Sequence, residues 1–274
     1  MGDTAKKILF VNSEMFPYLP ENGISKMLRE LPQGIQERKK EIRAFMPRYG
    51  CINERKNQLH EVIRLSGMNI IISDVDRPLI IKVASIPAAR IQVYFIDNED
   101  YFRRKSLYRD ENGKFFADNG ERAIFFARGV LETVKKLRWA PDIIHCSGWI
   151  SQVLPLYLKK AYKDDPIFSS SKVVLSLLDD TPEDLFSPNI REDILFGPIK
   201  PEDVEWGKNV GGIELAKLAL RYSDGVIMGS GNIAPELLEY CGKSGLPVLP
   251  FGKDAVEDGS YIDLYNAFYD NLLQ

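Results

Sequence analysis

Few side chains in this sequence could do chemistry, and they are scattered. Glu14 follows a short apolar run, Ile8-Leu9-Phe10-Val11, that reads as a strand buried on both faces. Ligands of open parallel sheets bind beyond the strands' carboxyl ends, so Glu14 either meets a ligand there or fixes the loop. Asp118 and Asn119 stand before a long helix, where both suit an N-cap. Trp149 and the group Tyr101, Phe102 and Tyr108 could stack on rings of a ligand or pack in the core. Gly229-Ser230-Gly231, between a strand and a helix, is a weak anion-site pattern. The two histidines, His60 and His145, are too few and too far apart to suggest a histidine triad or a zinc site. Cys51, Cys146 and Cys241 have neither metal-ligand nor disulfide spacing and read as buried free thiols in a reducing compartment. There is no G-x-S-x-G, P-loop or G-x-G-x-x-G.

The elements that must position these residues alternate between strands and helices. After the first strand, residues 13–23 form a loop with Pro17, Pro20 and Gly23; Ile24, Met27, Leu28, Leu31 and Ile35 then recur at helical spacing. Pro32 interrupts that helix and can kink it. Ile42 to Met46 is a second strand, ended by Pro47. Four strand-like runs follow, over 59–65, 68–73, 79–86 and 91–96, with turns at Gly67 and across 74–78. They read as an antiparallel hairpin insertion, about 57–92, returning to the main sheet through Val93–Ile96. Beyond a polar loop, Ala123, Phe126, Ala127, Val130, Leu131, Val134 and Leu137 stripe a long helix. Strand Ile143-Ile144, a helix over 150–162, strand 173–178, a helix over 213–222 and strand 226–228 come next, and Ser230 can cap the helix carrying Leu237 and Leu238. This order predicts an α/β fold with a Rossmann-like, doubly wound, mostly parallel sheet. Residues 241–259 have linker composition, with four glycines and two prolines. Tyr261, Leu264, Tyr265, Phe268, Tyr269 and Leu272 then line one face of a last helix, a stripe that must dock on something.

Composition narrows the function. A formal charge of -3, with no long Lys/Arg stripe, argues against a nucleic-acid partner. No run approaches the ~20 apolar residues of a membrane span, and residues 1–11 do not form a signal peptide, so a cytoplasmic protein is expected.

Several segments resemble bacterial glycogen and starch synthases. Lys7–Pro17 (KILFVNSEMFP) is similar to the opening of that family, Tyr94–Tyr108 (YFIDNEDYFRRKSLY) to its segment before the acceptor-side loop, and Asp118–Ala123 to its D-N-x-x-R-F helix start. Trp139–His145 is similar to W-x-P-D-V-V-H, and Gly212–Ser230 to the family's helix and strand ending in A-V-S. The order is preserved across most of residues 7–240.

The resemblance implies one half of a GT-B fold, in which two Rossmann-like domains face across a cleft and glucose passes from a sugar nucleotide to an α-1,4-glucan. The nucleotide-binding second domain needs on the order of 150 residues, and nothing after Tyr240 is long enough to supply it. Ser260–Leu273 resembles the family's last helix, which packs back on the first domain. The implied organisation is a synthase-type domain over 1–240, a linker over 241–259 and a returning helix over 260–274, left by an internal deletion.

The family's catalytic positions are largely replaced. Its K-x-G-G-L loop, whose lysine neutralises phosphate, reads Pro20-Glu21-Asn22-Gly23-Ile24, keeping only Gly23. Its H-x-x-D-W-H reads His145-Cys146-Ser147-Gly148-Trp149-Ile150, and isoleucine can neither donate nor accept a hydrogen bond. His145 aligns with a structural histidine at the strand end. Its H-N after the next strand is replaced near Leu178-Asp179. Glu14, Gly23, Asp118, Asn119 and Trp149 remain as family-matched substrate-binding positions. The expectation is a glycogen/starch synthase-like protein, inactive alone, with no cofactor, that binds an α-glucan, a full-length synthase or a second copy of itself. The alternative is a whole or half-site glucosyltransferase using ADP- or UDP-glucose.

Overall fold

The computed structural model describes residues 5–274. The strands are β1 (Lys7–Asn12), β2 (Glu41–Pro47), β3 (His60–Glu61), β4 (Met68–Ile72), β5 (Val75–Ile86), β6 (Ile91–Asp97), β7 (Ile143–Ser147), β8 (Lys172–Leu177), β9 (Gly225–Met228) and β10 (Val248–Leu249). The helices are α1 (Gly23–Glu37), α2 (Glu99–Phe102), α3 (Asn119–Leu137), α4 (Leu154–Lys160), α5 (Ile190–Asp193), α6 (Pro201–Val204), α7 (Gly212–Arg221), α8 (Pro235–Ser244), α9 (Lys253–Asp258) and α10 (Tyr261–Leu272). The strands run β10-β9-β8-β7-β1-β2-β6-β5-β3, with β4 paired to β5. Pairing is parallel from β10 to β6 and antiparallel beyond it. The strand order reverses between β1 and its neighbours β2 and β7, which makes the carboxyl ends there the expected ligand position. The fold class read from the sequence is the one observed.

Local chemistry explains where the boundaries differ from expectation. Pro32 does not end its helix: α1 runs through it to Glu37. Proline has no N–H for the carbonyl four residues back, which here belongs to Leu28. Asn12 Nδ2 donates to that carbonyl at 3.2 Å, so a side chain from β1 replaces the missing bond. The turn expected across 74–78 is shorter. Ile72 pairs with Val75, leaving a two-residue turn at Ser73-Asp74 with φ of +49° and +59°. Two positive-φ residues match the right-handed twist of a tight hairpin, and residues 75–78 are thereby freed to extend β5. The strand expected over 59–65 keeps only His60 and Glu61 in pairing. Ser230 does not cap α8; its Oγ accepts from Asn232 N, and Pro235 opens the helix. Cys146 and Cys241 are buried, whereas Cys51 is exposed.

Residues 241–259 carry more structure than linker composition suggests. The end of α8 lies there, β10 adds a parallel strand beside β9, and α9 follows. The last helix lies along α1 and over one sheet face. Tyr261, Tyr265 and Tyr269, spaced i, i+4, i+8, are its buried ridge; Leu264 falls outside it and is 43% exposed. A Cβ at Gly34 would stand 2.6 Å from Ile262, and one at Gly225 2.9 Å from Phe268. Both glycines are notches that admit the helix. Charge fixes its other edge: Lys40 Nζ lies 2.8 Å from Asp270 and donates to Asn266 Oδ1 at 2.8 Å, and Arg38 pairs with Asp263.

The face under α10 is polar. His145 and Ser147 alternate with Ile144 and Cys146 along β7, and Ser176 comes from the adjacent β8. His145 Nε2 lies 2.7 Å from Ser176 Oγ, and its Nδ1 lies 2.6 Å from Tyr269 OH. Burial pushes the imidazole down to about 3, so it is neutral. A neutral ring has one donor and one acceptor nitrogen, and the two hydroxyls satisfy both. Tyr269→Phe leaves one nitrogen buried and unpaired. It is expected to cost about 1–3 kcal/mol in urea unfolding. A change within error would mean that this bond does not hold the helix.

Candidate functional site

The carboxyl ends of β8 and β9 and the first turn of α1 enclose an open depression of about 410 Å³. Asn22 and Gly23 form one side, Leu178 and Asp179 the floor, and Gly229 and Ser230 the far side. Phe251 and Val256 close it from the segment around α9. None of the lining residues is a cation.

Asn22 organises the α1 side. Its Oδ1 accepts from Ser25 N at 2.7 Å, while Ser25 Oγ accepts from Asn22 N at 2.9 Å, a reciprocal cap. Asn22 Nδ2 donates to Glu14 Oε2 at 3.3 Å. Glu14 therefore does have the loop-fixing bond, and it stands beside the depression. Burial raises its pKa, and the Asn22 bond partly opposes this. A Cβ built on Gly23 would meet nothing within 4 Å, so this face of the helix start is open.

The loop after β7 is closed where the matching aspartate would stand. Gly148 has φ of +87° and ψ of 150°, a region that residues with a Cβ avoid. A Cβ there would stand 2.1 Å from Ser13 Oγ and 2.9 Å from Asp180 Oδ2. Asp180 Oδ2 instead accepts from Trp149 N at 2.9 Å, tying this loop to the end of β8. Asp180 Oδ1 is buried without a partner among the described residues. Burial raises the pKa of Asp180 to about 6, with smaller contributions from Glu14 and Asp179, and the Trp149 N–H opposes them. Ile150 is fully buried and lies in the core.

The other sequence-matched residues do structural work. Trp149 is 1% exposed, packed against Tyr108, Phe115 and Phe186, so its ring has no free face for a sugar. Tyr101 and Phe102 are likewise buried. Asp118 occupies the N-cap position of α3 without capping it; its carboxylate accepts from Arg104 Nη1 and Nη2 at 2.6 and 2.5 Å. Asn119 is fully buried, donates to Tyr108 O at 2.9 Å and accepts from Arg122 Nη1 at 2.5 Å. Tyr108 OH meets Tyr49 OH at 2.7 Å, and Tyr49 OH lies 3.0 Å from Ser13 O. This relay runs from α3 to the loop bearing Glu14. The structure thus brings Glu14 and Gly23 together and keeps Asp118, Asn119 and Trp149 out of the lining.

A family profile described as the starch synthase catalytic domain matches residues 7–249. This chain belongs to the starch synthase catalytic domain family. It is similar to the glycogen synthase of Chlorobium limicola, at 39% identity over 199 residues, covering 72% of this chain and 40% of that one. It is also similar to the glycogen synthase of Chlorobaculum tepidum, at 34% identity over 250 residues, covering 90% of this chain and 49% of that one. The chain therefore spans less than half the length of these relatives. The catalytic domain of Arabidopsis thaliana starch synthase IV, solved with ADP and acarbose, shares the fold with a TM-score of 0.71 at 15% identity. That superposition covers 92% of this chain and 52% of the plant domain.

Asp180, Phe251 and Val256 escaped sequence reasoning. Asp180 had a signal, a second acidic residue directly after a parallel strand; the other two were hidden in linker-like composition. A carboxyl whose folded pKa lies above its unfolded value binds its proton more tightly when folded. Its stabilising contribution is present at low pH and is lost as pH rises from about 4 through about 6. Asp180→Asn keeps an acceptor for Trp149 N–H without the charge. It is expected to raise stability at pH 7.5 by on the order of 2 kcal/mol and to flatten the pH profile over that window. An unchanged profile in calorimetry would contradict the assignment.

Proposed function

We propose that this chain is a synthase-family protein that holds an α-glucan and does not by itself transfer glucose from a sugar nucleotide. The observation that carries the reading is the charge of the depression. Transfer from a sugar nucleotide needs positive charge against the departing diphosphate. Here the lining holds Asp179, with Glu14 and Asp180 adjoining it, and no lysine or arginine. Carboxylates accept hydrogen bonds from hydroxyl groups and amides both accept and donate them, whereas the same carboxylates repel phosphate.

The loop after β7 supports the same reading. Gly148 has no room for a side chain, and Ile150 is buried. Restoring either family residue singly would introduce a clash or an unpaired polar group. The docking of α10 supports its assignment as the counterpart of the family's returning helix. Residues 250–259, beyond the family match, then take the position of a second domain, and Phe251 and Val256 form a substitute wall for the depression.

The test is thermal unfolding with maltoheptaose, ADP-glucose and UDP-glucose, each added separately. A ligand of the folded state at a hundred times its Kd stabilises by about 2.7 kcal/mol. The expected result is a rise in midpoint with maltoheptaose and none with either sugar nucleotide. A rise with a sugar nucleotide would favour the glucosyltransferase reading. No rise with any of them would overturn glucan binding and favour a full-length synthase, or a second copy of this chain, as the partner.

A further inference from the structure

Beyond Leu178 and Asp179, the excursion between β8 and α7 leaves the depression described above and carries α5 and α6. Between these two short helices lies a groove of about 450 Å³. Trp206 and Pro201 stand on one wall, and Pro188, Asn189, Arg191 and Glu192 on the other. Past Glu192 and Leu195 it adjoins a second groove of about 550 Å³ that reaches the β4–β5 turn.

Trp206 differs from the other two tryptophans. Trp139 and Trp149 are 4% and 1% exposed, whereas Trp206 is only partly buried. Its Nε1 donates to Glu214 O at 3.3 Å, so its ring is oriented before any ligand arrives. Proline rings lose no rotamer freedom on binding, and a pinned indole loses little. Around these rigid faces stand the amide of Asn189, the guanidinium of Arg191 and the carboxylate of Glu192. The two charges of this first groove balance, and the second adds only the acidic Asp74 and Asp193. Such a lining disfavours phosphate and nucleic acid. It suits a neutral, elongated, polyhydroxyl chain with apolar ring faces.

We propose that the groove between α5 and α6 is a second α-glucan-binding site, separate from the depression at the sheet edge; this rests on the glucan reading above. Two sites on one chain favour a branched polymer over a short oligosaccharide, because the second contact is made at high effective concentration.

Intrinsic fluorescence reads this site directly, because Trp206 is the tryptophan open to solvent. Titration with maltoheptaose is expected to give a saturable change in emission that Trp206→Phe abolishes. Affinity electrophoresis in glycogen-containing gels gives a second readout. Trp206→Ala and Arg191→Ala are each expected to weaken retention roughly fivefold, with unchanged circular dichroism. Arg191 is exposed, so its variant keeps the test valid if Trp206→Ala misfolds. If the wild type is retained on glycogen while Trp206 emission stays still and both variants are retained equally, the groove proposal fails alone. If the wild type is neither retained nor perturbed, the glucan reading fails with it.

Discussion

The sheet face over β7 and β8 presents His145, Ser147 and Ser176 to the layer above, and such groups are costly to bury unpaired. The tyrosine ridge of α10 supplies what that face requires. Tyr269 bonds His145 at 2.6 Å, and the ridge excludes water from the sheet. A leucine-only helix would cover the same area and leave the imidazole unsatisfied. The notches at Gly34 and Gly225 and the cations Arg38 and Lys40 are matched to this one helix. The sheet, α1 and α10 therefore form one interlocked unit.

At the carboxyl ends of the same strands the loops pack closely and the lining is acidic. Gly148 permits the close packing of the β1, β7 and β8 loops, and Asp180 reaches into the space thereby left. The result is a tightly closed loop beside an open, anionic depression. Asp180 sits where its charge is disfavoured, and its hydrogen bond from Trp149 N restrains the loop that leads into the aromatic cluster. Stability and site chemistry are thus coupled through a single carboxylate.

Much of the fold was legible because its signals are local and periodic. Buried parallel strands show as continuous apolar runs, and the helices show as stripes at i, i+3, i+4. What escaped depends on contacts distant in sequence. Pro32 stays helical because Asn12 satisfies the carbonyl of Leu28, a pairing that no periodicity displays. Residues 241–259 look like linker, yet a two-residue strand forms there because β9 offers an edge to pair with. The site was less legible still. Glu14 and Gly23 could be placed from the strand–loop–helix opening. Asp118, Asn119 and Trp149 carry residue types that suit a sugar site; in the structure Asn119 and Trp149 are buried and Asp118 is paired with Arg104. Residue type constrains what a side chain can bond; exposure decides whether a ligand can reach it.

The most direct measurement is transfer of label from radiolabelled ADP-glucose and UDP-glucose onto glycogen, at high concentrations of the purified chain. The account predicts no incorporation above a protein-free blank, because no lysine or arginine lines the depression and neither Gly148 nor the buried Ile150 offers a side-chain hydrogen bond. Incorporation that rises in proportion to protein concentration would contradict it.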